Sequence, residues 1–416
     1  MTKKRKKQIK KRRRLIIILI IIIIFVVVKD NKKDEIINSI SNKTNKSYLG
    51  NVTNDSDTEI KEEWQKLIVS YLDAYTDSLK NLKSRDVTSL FTDKNSEEAY
   101  LTQTIINLQV FHHSVQNNDM RLKKASYDIV YKKVSIKDNK ITIEFLENDY
   151  YNFKYLNNIT SKIYNIENTI IINKKDKDYK IDSIRVERGN YIIFTSILED
   201  KFTKNDIDVL KTKYEKLIRE ESENNKRLLE EANTKEYIAK KECDNYYNRD
   251  KAINYSYNYI KDRNEYYLDY SSLGGNCANH ASQAIHEGGV PMDYTGAYEW
   301  KYFSDELNEN NTKKGRSSSW VSTYHFYEYA KNNKGYGLCA EVDVNLFYAE
   351  VGDVVHVGYK DGNIYSHTTI VSKVIKKNGK TIDILVNSNT SDLEDYPVMG
   401  YIYYNKRLIK ILGYND

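Results

Sequence analysis

Cysteine, proline and tryptophan are scarce in this chain of 416 residues, which holds three, two and three of them. Cys243, Cys277 and Cys339 are odd in number, and their spacings match neither a disulfide framework nor a paired zinc knuckle. Cys243 falls in a charged helical stretch and Cys339 in a glycine-flanked loop, so both read as incidental thiols. Little proline beside abundant Lys, Asn, Ile and Tyr is the mark of AT-rich coding, and the 37 tyrosines are read as compositional rather than as a stacking platform. The formal charge is +6, but residues 1–14 hold ten Lys/Arg and no acid. The rest of the chain is therefore mildly acidic, which argues against nucleic acid as the main partner, since such binders present a basic face. Residues 60–200 lack an acid–base pair and a metal-ligand spacing; adjacent His112 and His113 read as surface residues. No cofactor and no metal are expected.

One long apolar run is present, Leu15 to Val28, directly after the cationic block. Fourteen residues make a helix of about 21 Å, short of the ~30 Å hydrocarbon core and close to the length of a signal-peptide core. No small-x-small cleavage site follows; the next residues are Lys29-Asp30-Asn31-Lys32-Lys33. The expectation is an uncleaved signal anchor in a cell membrane, single-pass, with lysines snorkelling and residues 15–28 as the membrane contact. The preceding cations hold the N-terminus in the cytoplasm and put the bulk of the chain outside.

Five segments follow from composition. Residues 1–28 are the cationic segment and anchor helix, and 29–58 a polar, disordered tether. Residues 59–200 form an α+β spacer or binding domain. It opens with an amphipathic helix carrying Trp64, Leu67, Ile68, Tyr71, Leu72, Tyr75 and Leu79 at helical spacing. Short helical or loop segments are expected over 86–120, then strands at 127–136, 141–146, 169–173 and 179–187. The last of these, after a charged turn, resembles the closing hairpin of nuclear-transport-factor-like domains. Residues 201–245 read as a charged connecting helix whose heptad is too brief to set an oligomeric state. Residues 246–416 carry helices first and antiparallel strands after.

This last segment holds the chemistry. Gly274-Gly275-Asn276-Cys277-Ala278-Asn279-His280-Ala281-Ser282-Gln283 puts Cys277 after a glycine turn at a helix start, where unpaired N–H groups and the helix dipole favour thiolate. His367 opens an apolar strand ninety residues later. A cysteine on a helix N-terminus and a histidine on a downstream strand suit a nucleophile and its base. His356, on the preceding strand, is the competing base.

The ordered motifs are Tyr247-Asn248-Arg249, Gly-Gly-x-Cys-x-Asn-x-x-Ser-Gln, Gly288-Gly289-Val290-Pro291, Ser318-Ser319-Trp320, Gly352-Asp353-Val354-Val355 and Ser366-His367-Thr368. Together they resemble the bacterial Putative amidase domain family, which is related to CHAP and NlpC-type cell-wall hydrolases. The resemblance implies a papain-like cysteine amidase or peptidase with Cys277 as nucleophile, His367 as base and Asn389 at the third catalytic position, with Asn387 as the runner-up. Asn276, Ala278 and His280 stand where the family usually has Asp, Thr and an aromatic residue. The function expected is a membrane-anchored, extracytoplasmic cysteine amidase or peptidase acting on peptidoglycan or other envelope peptides. The alternative is a catalytically inactive envelope-binding or scaffold protein with an amidase-like fold.

Overall fold

The computed structural model describes residues 47–175, 178–295, 298–302, 316–358, 364–401 and 405–416. Contacts divide the chain after Leu49, and the architecture below is that of the unit Gly50–Asp416.

After the strand β1 (Leu49–Asn54), helix α1 (Glu62–Asn81) follows the apolar spacing. Glu62 and Glu63 complement the dipole in its first turn, Lys80 does so in its last, and Leu82 in the left-handed region stops it. A second long helix, α2 (Glu97–Val115), is capped by the Ser96 hydroxyl, which accepts from the Ala99 amide. It replaces the short segments expected over 86–120. Its burial runs round the helix, from Leu101, Ile105 and Ile106 to His112 and His113, so no clean apolar stripe marks it. His112 and His113 are thus interior rather than surface residues, at 0% and 2% exposure.

Strands β2 (Leu122–Lys137), β3 (Lys140–Phe153), β4 (Ser161–Lys175) and β5 (Asp178–Val186) form an antiparallel array. They are followed by α3 (Gly189–Ile197) and α4 (Lys204–Ala232), the latter opened by a Thr203/Asp206 capping box. Helices α5 (Arg249–Asn258), α6 (Cys277–Glu287), α7 (Ser318–Val321) and α8 (Thr323–Asn332) come next. Six strands close the chain: β6 (Gly337–Val344), β7 (Val354–Gly358), β8 (His367–Lys377), β9 (Lys380–Ser388), β10 (Asp392–Pro397) and β11 (Asn405–Asn415).

Among the described residues all the strands belong to one open sheet of order β1-β2-β3-β4-β10-β9-β8-β7-β11-β6, with β5 paired to β4 off this path. The join is β4. Its first residues, Lys162 to Tyr164, pair with Glu394 to Asp392 of β10, while Asn168 to Lys175 pair with β5. At ~3.3 Å per residue a strand this long can serve two partners on one edge.

The expected architecture is corrected on three points. The fold is a mixed α+β arrangement around one continuous open sheet, not a papain-like sheet preceded by a separate nuclear-transport-factor-like one. Among the described residues no helix is long and apolar enough to cross a membrane; α1 is amphipathic and α4 heavily charged. The stretch assigned as anchor, residues 15–28, lies outside the described residues. The anchor helix, the membrane as partner and the single-pass placement are therefore not retained. Finally, Cys243 and Cys339 are not incidental thiols. They form a disulfide with Cα atoms 6.0 Å apart, β6 carrying Cys339 where a loop was expected, and Cys277 is the free cysteine.

Candidate functional site

Gly274 and Gly275 have φ of 109° and 117°, a conformation that L side chains rarely adopt, and this turn sets the start of α6. Cys277 is the first residue of that helix. Asn276 before it is tied down on every side. Its amide N–H donates to the Thr390 hydroxyl at 3.1 Å, its side-chain N–H to the Asn389 carbonyl oxygen at 2.8 Å, and its side-chain oxygen accepts from the Tyr270 amide and the Asn279 side chain.

The thiol is buried, with 9% of the residue exposed. Burial by itself raises its pKa. The charge and hydrogen bond of His367, with backbone N–H groups of Thr368 and Ala278, outweigh that and bring it from 9.0 to about 7. Those two amides come from the first turn of α6 and the second residue of β8, so the helix end and the strand both serve the sulfur. His367 is itself buried, and its ring stacks on Tyr401 at 6.2 Å between centroids.

The other sequence candidates have hydrogen-bond partners of their own. Asn389, 1% exposed, takes the Asn276 side chain on its oxygen and donates to the carbonyls of Tyr259 and Ile260 at 2.9 and 3.1 Å. Its bonds therefore hold the loop after α5 against the start of α6. Asn387 accepts from the Asp395 amide at 2.9 Å. His356 accepts on Nδ1 from Arg407, and burial, with that cation nearby, holds its pKa well below 6.5. That disfavours the protonated form a base must reach. His280 is also buried and low, at about 4, beside the Ser256 carbonyl.

The remaining motif residues build the frame. The Tyr247 hydroxyl donates to the Gly352 carbonyl at 3.1 Å, and Arg249 pairs with Asp353 at 2.8 Å. A Cβ at Gly288 would stand 2.2 Å from the Tyr247 ring, so three motifs distant in sequence meet at one tyrosine. Trp320 donates to Asn279, and Trp300 to Ser282, locking α6 from its far side at 2.9 and 3.1 Å. Tyr401 and the Thr368 amide are site residues that the sequence reading missed; only their nearness in space to His367 and Cys277 reveals them.

A curated Bacillus subtilis (strain 168) protein described as "Uncharacterized protein YhbB" is 30% identical over 149 residues. The match covers 35% of this chain and 42% of that protein. No solved structure matches the chain. Neither finding extends the likeness to papain-like, CHAP or NlpC-type enzymes. The narrower kinship is set aside, and with it the expected membrane-anchored, extracytoplasmic Cys-His-Asn peptidase of the cell wall. Residues 246–412 match the family described as Putative amidase domain.

Proposed function

We propose that residues 246–412 act as a cysteine-type amidohydrolase. Cys277 as thiolate attacks an amide carbonyl, and the oxyanion is held by backbone N–H groups at the start of α6. His367 passes its proton to the departing amine as the C–N bond breaks, leaving a thioester. It then takes a proton from the water that releases the acid and restores the thiol. Asn389 serves as a positioning residue, acting through Asn276 on the helix start rather than on the imidazole. One observation carries the reading: a thiol at a helix N-terminus, hydrogen-bonded to a histidine and brought to about 7 despite burial.

A second reading, ligand binding without turnover, draws on the closure of the pair, with Cys277 at 9% and His367 at 8% exposure. The test is incubation of the full chain with iodoacetamide and with a panel of N-acyl anilides, reading modification by mass spectrometry and amine release by absorbance. Amine release lost in Cys277→Ser and His367→Ala supports the hydrolase. Modification at Cys277 with no amine released from any anilide favours binding, and an unreactive Cys277 sinks the nucleophile assignment.

A further inference from the structure

A cavity of about 70 Å³ lies where β4 joins β10, several times the roughly 10–15 Å³ that one water needs. The amino-terminal half of the unit contributes Tyr75, Tyr151 and Arg188 to its wall; the segment 246–412 contributes Leu393, Tyr396 and Tyr401. The cavity adjoins the thiol site in two ways. Tyr401 stacks on His367 with 21° between ring planes and packs edge-on against Tyr396 at 5.8 Å. Ser391, also in the wall, follows Thr390, whose hydroxyl holds the Asn276 amide next to Cys277.

A charged cluster backs this space. Arg188, with a side chain 13% exposed, pairs with Glu147 at 2.5 Å and Asp149 at 3.2 Å, and its guanidinium lies 4.4 Å over the Tyr75 ring. Both acids are fully buried. Burial raises the Asp149 pKa well above 3.8, its carboxyl hydrogen-bonds Glu147, and the Tyr151 hydroxyl donates to it at 2.7 Å. The single guanidinium is thus already met by two buried acids, with Arg188 Nε buried and without an acceptor.

We propose that this cavity receives a side group of the amide substrate, and that the group is compact, uncharged and carries an acceptor oxygen, as a carboxamide does. The proposal rests on Cys277 being the nucleophile. A carboxylate would meet no surplus positive charge to offset its desolvation, and a cation would face the guanidinium. An apolar group would leave the Nε–H buried and unmatched, whereas a carbonyl oxygen accepts from it while its carbon stem packs on the tyrosine rings. The residues 59–200 thereby supply part of the specificity of a site whose thiol lies in the other half of the chain.

The experiment measures Cys277 modification in the full chain by N-acetyl vinyl sulfones built on glutamine, glutamate and leucine. Each rate is divided by that of methyl vinyl sulfone, which has no side group. The glutamine probe is expected to exceed the other two about tenfold or more. Arg188→Met combined with Glu147→Gln, which removes the guanidinium together with the acid paired to it at 2.5 Å, should erase that preference. Ser391→Trp, at an exposed position of the wall, should lower the ratio for all three probes. Equal ratios in the unaltered chain, or a glutamine preference that survives both variants, overturns the proposal. A Cys277 unreactive even toward methyl vinyl sulfone defeats the nucleophile reading itself, and this proposal with it.

Discussion

Replacing His367 by alanine removes the group that charges the Cys277 thiol, and the size of the effect follows from the competing influences at sulfur. Burial pushes the thiol above 9.0, and His367, with two backbone amides, brings it to about 7. Two pKa units correspond to about 2.7 kcal/mol of preference for thiolate. At pH 7 the unaltered thiol is about half ionised, whereas one at 9 or above is about 1% ionised, a loss of about 50-fold in thiolate. Each thiolate in the variant is more nucleophilic, since a Brønsted slope of about 0.4–0.5 makes two units worth about eightfold. Iodoacetamide alkylation at pH 7 should therefore fall about sixfold, and near pH 10 the order should reverse, the variant reacting faster. The assay is the pseudo-first-order rate of Cys277 alkylation across pH, read by mass spectrometry with the Cys243–Cys339 disulfide kept oxidised. A variant profile that keeps a midpoint near 7, or an unaltered chain titrating near 9, refutes the pairing.

Three further outcomes are expected. Cys339→Ser opens a link between residues 96 apart in sequence, which should lower stability by about 4–5 kcal/mol on the chain-entropy account; a urea midpoint equal to that of the oxidised chain would refute it. Burial disfavours ionised Glu221, but Lys406 and His112 prevail and take its carboxyl from 4.5 to about 2. Because the folded-state pKa is depressed, this contribution is present above about 4.5 and fades as pH falls toward 2. Glu221→Gln should cost about 3–5 kcal/mol at neutral pH and flatten the acid limb of stability, and an unchanged limb in denaturant titrations would contradict this. Asn389→Ala leaves the Asn276 side chain and the carbonyls of Tyr259 and Ile260 without their buried partner. A stability loss of about 1–3 kcal/mol is expected, and an unshifted denaturation midpoint would show those bonds to be idle.

Legibility differed from element to element for identifiable reasons. Helix α1 was readable because one face is apolar and the other charged. Helix α2 was not, since a helix buried nearly all round has no stripe. Strand β6 was missed because Gly337, Cys339 and Ala340 resemble loop composition, and it becomes a strand by pairing with β11. His112 and His113 looked like surface residues because polarity in sequence says nothing about a partner such as Glu221, more than one hundred residues away.

What the sequence determined by itself was local: the glycine turn before Cys277, the helix it opens, and the apolar strand that His367 begins. Those are set by backbone freedom and dipole effects within a few residues. The tertiary structure alone decided which distant groups share a space. It closed the Cys243–Cys339 disulfide, gathered the tyrosine, glycine and aspartate motifs at Tyr247, stacked Tyr401 on His367, and joined β4 to β10 so that Arg188 and Tyr401 line one cavity. Each of these is a contact between residues far apart in the chain, where burial and pairing energies act and local propensity has no reach.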